Sequence, residues 1–330
     1  MGEDWRSCPI RVPIAGNHRA FNRKICENNE LMRRLLGVTF LIVLTTMAVA
    51  QKPPAIDPAY QASFDKWKDD MIEDLKENWL TLAGLFWLKP GDNSFGADSG
   101  NAIVLPRDSA PMLAGFFTLT GKEVTVKLAP GASATIAGKP VSSAKLEPDV
   151  SGKATVLELG TLRMHVIQRG ERIGIRVKDL DSPAVKKYRG PDFYPLNPMF
   201  RVTATWVPSD GKKTVDVPNV LGDVMPTPVA GEAHFKMNGQ DLTLQALGGD
   251  PQKGLFFIFK DQTSKSDTYP PGRFLDTEAV SNGTVILDFN EAYNPPCAVT
   301  PYATCPLPPK ENQLAIAIPA GEKYRRHGGH

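Results

Sequence analysis

The apolar positions first recur with a helical step. Tyr60, Phe64, Trp67, Met71 and Leu75 follow one another at intervals of four, three, four and four residues, which places them on one face of a helix. Asp65, Lys66, Lys68, Asp69, Asp70 and Glu73 cover the other faces. Asp57 suits the N-cap and Pro58 the first helical position. The pattern predicts an amphipathic helix over residues 57–79 whose stripe docks on the chain's own core.

After Trp79 the period changes to two. Residues 102–105, 115–120, 124–128, 155–159, 162–168 and 172–178 read as short strands, and 200–207, 214–217, 233–237, 242–246, 255–260 and 284–288 continue the pattern. Asp210-Gly211, Asn238-Gly239 and Asn282-Gly283 supply turn residues that accept a positive φ. No alternation of strand and helix is present. The expected fold is all-β and mainly antiparallel, with two β-sandwich or barrel-like halves and one N-terminal helix. Pro183, Gly190, Pro191, Pro195 and Pro198 crowd residues 181–198, where no strand or helix is expected. This stretch divides an N-terminal half, residues 80–182, from a C-terminal half, residues 199–325.

One further apolar run has a different meaning. Arg33 and Arg34 precede Leu35–Leu44, and small residues lead to Ala48-Val49-Ala50. These are the charged, apolar and cleavage regions of a secretory signal. The run from Leu35 to Ala50 is shorter than the ~20 residues needed to span a bilayer, so the expectation is cleavage after Ala50 rather than a stable membrane span. Residues 1–31 are polar and patternless, which makes Met32 the expected start and the upstream segment a non-structural extension. The protein is thus expected to be secreted or periplasmic.

Export changes the charge and cysteine arithmetic. The chain of 330 residues carries 38 basic and 36 acidic side chains; seven of the former and four of the latter precede Gln51, so the remainder has a net charge of −1. Such a chain offers no basic field to nucleic acid. Of the cysteines, Cys8 and Cys26 leave with the signal, and Cys297 and Cys305 remain. An even pair in an exported protein predicts a disulfide, and so short a loop adds roughly 2–3 kcal/mol of stability. The C-x7-C spacing is not that of a zinc site, and no metal is expected.

Common catalytic and cofactor signatures (H-E-x-x-H, G-x-S-x-G, G-x-G-x-x-G, the P-loop) are absent, so no cofactor is expected. Strand alternation places His165 and His234 opposite their apolar neighbours, on outer faces. Two groups of residues carry candidate chemistry. Asp261 and Asp288 could act as acid and base, with Arg273 tuning or stabilising charge; alternatively Asp261 shapes a turn and Arg273 forms a structural ion pair. The proline-rich loop 293–309 has φ fixed at Pro295, Pro296, Pro301, Pro306, Pro308 and Pro309. With Tyr269, Arg273, Asp288, Asn290, Tyr293, Asn294 and Tyr302 it could offer a preformed surface to a small polar or carbohydrate ligand. The competing reading is that the loop only locks the core.

Two stretches resemble known families. Leu287-Asp288-Phe289-Asn290-Glu291-Ala292-Tyr293-Asn294-Pro295-Pro296-Cys297-Ala298, with Thr268-Tyr269-Pro270-Pro271-Gly272-Arg273-Phe274-Leu275-Asp276 upstream, is similar to the bacterial family catalogued as domain of unknown function 1684. The resemblance covers nearly all of the chain after the signal and implies no catalytic assignment. Gly91–Gly96, Asn101–Pro106 and Ala132–Val141 resemble the forkhead-associated β-sandwich. Ala97 stands where that fold carries an arginine, no histidine follows Ala110, and Ala137-Gly138 replaces its N-G loop, so the resemblance implies a scaffold for residues 82–141 without phosphopeptide reading. The combined expectation is an exported, non-enzymatic binding or structural module for a small polar or carbohydrate-like ligand of the cell envelope. The alternative is an exported hydrolase-type enzyme with Asp261 or Asp288 as base.

Overall fold

A computed structural model describes residues 55–325. The expected extension, the signal with its cleavage point, Cys8, Cys26, His327 and His330 lie outside the described residues. Helix α1 spans Pro58–Asp74 and continues as a π-helical turn over Leu75–Trp79. Asp57 caps it by accepting the Ala59 N–H at 2.9 Å, and Pro58 holds the first turn, as the sequence predicts. Phe64 is buried, stacked on Trp67 at 5.7 Å and set edge-on against Phe193 at 5.9 Å. The stripe therefore docks on the chain itself.

The rest is antiparallel sheet with one short parallel pairing. The first eleven strands are β1 (Leu82–Trp87), β2 (Gly91–Gly96), β3 (Ile103–Val104), β4 (Gly115–Thr120), β5 (Glu123–Leu128), β6 (Ala134–Ile136), β7 (Lys139–Val141), β8 (Ser143–Leu146), β9 (Leu157–Leu159), β10 (Leu162–Arg169) and β11 (Arg172–Asp179). They form a six-stranded sheet, β1-β11-β10-β9-β6-β7, and a five-stranded sheet, β3-β2-β4-β5-β8. One apolar cluster fills the space between them: Phe95, Phe117 and Val126 from one side, Leu157, Met164 and Ile175 from the other.

Residues 181–198 were expected to hold no element. They hold a five-residue helix, α2 (Pro183–Lys187), because Ser182 accepts the Ala184 N–H at 3.2 Å and Pro183 is tolerated at the first position. Beyond it lie β12 (Arg201–Pro208), β13 (Thr214–Pro218), β14 (Val224–Pro228), β15 (Gly231–Met237), β16 (Gln240–Ala246), β17 (Gly248–Asp250), β18 (Gly254–Phe259), β19 (Arg273–Asp276) and β20 (Thr284–Asp288). They make a sheet β16-β15-β12-β20, a sheet β17-β18-β19 and a ribbon β13-β14. Phe235, Leu244, Phe257, Phe259, Leu287 and Phe289 pack between the first two, together with Leu314, Ile316 and Ile318 of the C-terminal segment. Among the described residues no sheet mixes strands from before and after α2, and none closes into a barrel.

Turn chemistry fixes the hairpin registers. Asn238 and Gly239 both have positive φ (51° and 76°), as do Asn282 and Gly283 (50° and 72°), the geometry of type I′ turns. At Asp210-Gly211 only the glycine does so.

Arg176 decides what the two halves enclose. In β11, Ile173, Ile175 and Val177 point into the first core, yet Arg176 on the opposite face is also buried. His165 stands opposite Arg176 in the register of β10 and β11. The outer face expected for His165 is covered by the C-terminal half, since Thr304 accepts from Arg169 at 3.2 Å and Arg176 at 3.5 Å. Helix α1 is clamped to that half as well: the Tyr60 hydroxyl donates to Asp288 at 2.7 Å, and Asn290 donates to Tyr60 at 3.0 Å. Tyr60→Phe is expected to cost about 1–3 kcal/mol, because the hydrogen bond ends on a carboxylate. Urea unfolding should show a lowered midpoint at constant slope; an unchanged midpoint would contradict the clamp.

Candidate functional site

Asp261 and Arg273 come together as a buried ion pair. Asp261 follows β18 and Arg273 opens β19, and strand pairing sets Arg273 opposite Phe259. Their side chains meet at 2.7 Å with Arg273 only 1% exposed. The pair is saturated. Arg273 also donates to the carbonyls of Ala320 and, at 3.1 Å, Ile318, and lies 5.1 Å over the Phe259 ring. Asp261 accepts from the backbone N–H of Thr263 at 2.7 Å and from its hydroxyl. The geometry is that of a tie holding the C-terminal segment on the core. Gly321 follows with φ +79° and packs so closely on the Ala292 carbonyl that a Cβ would stand 2.5 Å from it.

Asp288 and Asn290 form a second group. Asp288 accepts from Tyr60, from Arg201 Nε at 3.3 Å, and from the backbone and side-chain nitrogens of Asn290 at 3.1 and 2.9 Å. Asn290 spends its remaining capacity on Asn197 N and O, both at 3.0 Å. The other candidates stand apart. Asn294 has no partner for its side-chain oxygen among the described residues; its backbone N–H donates to Glu322 at 2.8 Å and its amide to the Lys323 carbonyl at 3.0 Å. Tyr269 packs edge-on against Tyr324 at 4.8 Å. Tyr302 is half-buried, its backbone N–H donating to Thr300 Oγ1 at 3.3 Å. Tyr293 donates to Asp276 at 2.7 Å and sets its ring against Phe274 and Trp67.

Cys297 and Cys305 are adjacent free thiols, and each backbone N–H donates to the other's sulfur, at 3.2 and 3.3 Å. The expected bond between them is not formed in the structure. The Cys305 thiol stabilises a negative charge on Cys297, which lowers the Cys297 thiol below its usual value and raises that of Cys305.

A cleft of about 480 Å³ opens between the two halves and the end of α1. Trp79, Phe256, Phe274 and Tyr293 give it aromatic walls, and Arg169, Arg176, Thr304 and Asp74 give it polar ones. The proline-rich loop contributes Pro296, Thr304, Cys305 and Pro306. Of the residues expected at a site, Tyr293 and Cys305 reach this cleft; the Asp261–Arg273 pair and the Asp288–Asn290 group do not line it. Sequence reasoning missed Arg169 and Arg176 because their strands read as one-sided. The available signal was β11 itself, where Arg172, Arg176 and Lys178 share the face that alternation assigned to solvent.

The pair and the cleft each generate an expectation. Arg273→Met leaves Asp261 buried without its counter-charge, so it should lose about 3–5 kcal/mol in urea unfolding; a loss within experimental error would show that the tie carries nothing. At the cleft, burial and then the charge of Arg176 push the His165 imidazole down to about 4. Its value in the unfolded chain is about 6.5. The unfolded chain therefore takes up the proton first, and the stability held above about pH 6.5 is lost as pH falls toward 4. His165→Gln should flatten that part of the pH–stability curve; an unaltered slope would contradict the assignment.

Comparison with known proteins gives a family match over part of the chain and no activity. No curated protein matches the chain. An uncharacterized protein of Haloarcula marismortui, solved by NMR, is 29% identical, with 43% of this chain and 80% of that one covered, at a TM-score of 0.36. Two FHA-domain structures, one from a study of phosphothreonine-dependent FHA interactions and one of the FhaA FHA domain complexed with an intracellular domain, are each 16% identical. They cover 28% of this chain and 92% and 97% of theirs, both at a TM-score of 0.21. Residues 186–323, from within α2 into the C-terminal segment, match the model of the family described as Protein of unknown function (DUF1684).

Proposed function

We propose that the protein is an exported, non-enzymatic binding module whose ligand occupies the cleft between the two β-rich halves. The observation that carries this reading is the composition of the cleft. It combines four aromatic rings with two guanidinium groups, the Thr304 hydroxyl and the Asp74 carboxylate around about 480 Å³, a volume fit for a small molecule. Rings supply flat apolar surface, and the polar groups fix orientation. A small polar ligand with one flat or apolar face suits such walls. The carboxylates that a hydrolytic reading would use are engaged elsewhere: Asp261 by Arg273 and Thr263, Asp288 by Tyr60, Arg201 and Asn290. Neither faces the cleft, which favours binding over acid–base chemistry.

Export belongs to the same reading. The signal pattern ending at Ala50 would release a chain beginning at Gln51, and oxidation outside the cytosol would join Cys297 to Cys305. Their sulfurs already lie side by side, so bridging needs little movement of the loop. A bridge there would fix one wall of the cleft before a ligand arrives and so reduce the ordering cost of binding.

Trp79 provides the readout. Titrating the full chain with a panel of monosaccharides, amino acids and aromatic acids should give, for at least one compound, a saturable change in tryptophan fluorescence together with a rise in melting temperature. Trp79→Phe should remove most of the fluorescence change and keep the thermal shift. A panel that moves neither signal would overturn the binding assignment. Intact mass of the exported protein should place its N-terminus at Gln51, with no thiol titratable before reduction; an unprocessed chain with two reactive thiols would overturn the export assignment.

A further inference from the structure

Two arginines are buried among the described residues, with opposite surroundings. Arg273 has a carboxylate and two carbonyls. Arg176 is 8% exposed and contacts no carboxylate among the described residues. Its side-chain acceptor is Thr304 Oγ1, at the limiting distance of 3.5 Å, and its Nε has no hydrogen-bond partner among the described residues. Burial lowers its pKa, and the neighbouring Arg169 lowers it further. A buried charge without a partner is costly, and native proteins ordinarily avoid it.

The groups around Arg176 do not neutralise it. Arg169 stands beside it and holds Asp149 at 2.7 Å; that carboxylate attracts Arg176 as well but makes no hydrogen bond to it. Lys178 and His165 share its sheet face, and its charge disfavours protonation of both. Asp74, at the cleft mouth, is exposed, and its carboxylate accepts from Asn78 at 2.7 Å. The paired cysteines lie nearby, but each sulfur is occupied by the other residue's N–H. Thr304 joins the two guanidiniums by accepting from both, and its hydroxyl hydrogen is left to donate.

This arrangement has the character of an oxyanion site. A planar guanidinium presents parallel N–H groups that match a carboxylate or phosphate, and the low local dielectric strengthens the pairing. Next to it the cleft offers apolar rings rather than further cations. We propose that Arg176, Arg169 and Thr304 seat the oxyanion head, carboxylate or phosphate, of a ligand whose aromatic or apolar body lies against Trp79, Phe274 and Tyr293. The proposal rests on the binding reading above and specifies its ligand class.

The test uses the full chain and four probes: phenyl phosphate, benzoate, neutral benzyl alcohol and inorganic phosphate, compared by calorimetric titration and thermal shift. At least one of the two aromatic anions should bind about tenfold or more tightly than benzyl alcohol, with affinity falling as salt rises. The tighter one identifies the head as phosphate or carboxylate. Inorganic phosphate should bind more weakly than phenyl phosphate; equal binding would remove the apolar body from the proposal. Arg176→Met should abolish the anion preference and leave the ligand-free melting temperature unchanged or higher, since it removes an unpaired buried charge. A marked fall in that temperature would mean a structural arginine and overturn the seat. Arg169→Gln offers an independent check, with weakened anion binding expected and unaltered binding contradicting the pairing. If benzyl alcohol binds as well as the anions, the oxyanion assignment fails while the binding module stands. If no probe binds and the wider panel leaves Trp79 unmoved, the binding module itself fails.

Discussion

The organising constraint is that the β10–β11 hairpin is buried on both faces. One face completes the N-terminal core through Met164, Val166, Ile175 and Val177. The other carries His165 and Arg176 and lies under the proline-rich loop. A strand pair buried on one face only would leave those polar groups in water, where they need no partner. Burial on both faces gives each of them an energetic consequence: a histidine held neutral and a guanidinium short of acceptors.

The C-terminal half that covers this hairpin is held together by polar ties at several depths. Arg273 and Asp261 hold the segment near Ala320, and Asp288 and Asn290 hold α1 through Tyr60. Asn312 is fully buried and links strands that are not neighbours in a sheet, since its side chain bonds the backbone of Gln245 and Ile258. These residues account for much of the polar chemistry in the C-terminal half. They leave the chemistry of the cleft to Arg169, Arg176 and Thr304. A frame whose buried carboxylates are all engaged, beside one buried arginine short of acceptors, is an arrangement that suits an anionic ligand.

Much of the fold was legible because local rules dominate it. The helix was marked by Asp57, Pro58 and a regular apolar step, and the docking of its stripe on the core followed. Strands such as Gly115–Thr120 and Thr284–Asp288 alternate cleanly and were read to the residue. Others were not legible. Val224–Pro228 contains two prolines and persists only as one half of an edge ribbon, where missing N–H groups cost little. Gly91–Gly96 has no apolar alternation, and α2 arises from a serine cap within a proline-rich stretch. The site was less legible than the fold. Asp261 and Arg273 were recognised as a possible ion pair, but burial was needed to show that the pair is saturated. Arg176 looked like any outward-facing strand arginine, because the element that buries it lies more than a hundred residues away. Periodicity reports which residues share a face; it does not report what covers that face.

The central claim is that the Arg176 guanidinium lies buried and unpaired at the head of the cleft. Its side-chain Nε–H resonance tests this directly, observed by nitrogen-edited NMR and assigned by comparison with Arg176→Lys. The account predicts a slowly exchanging signal in the free protein that shifts strongly when phenyl phosphate or benzoate is added, while the Arg273 signal stays fixed. A signal that exchanges rapidly with water, or that is unmoved by an anion that demonstrably binds, would contradict it.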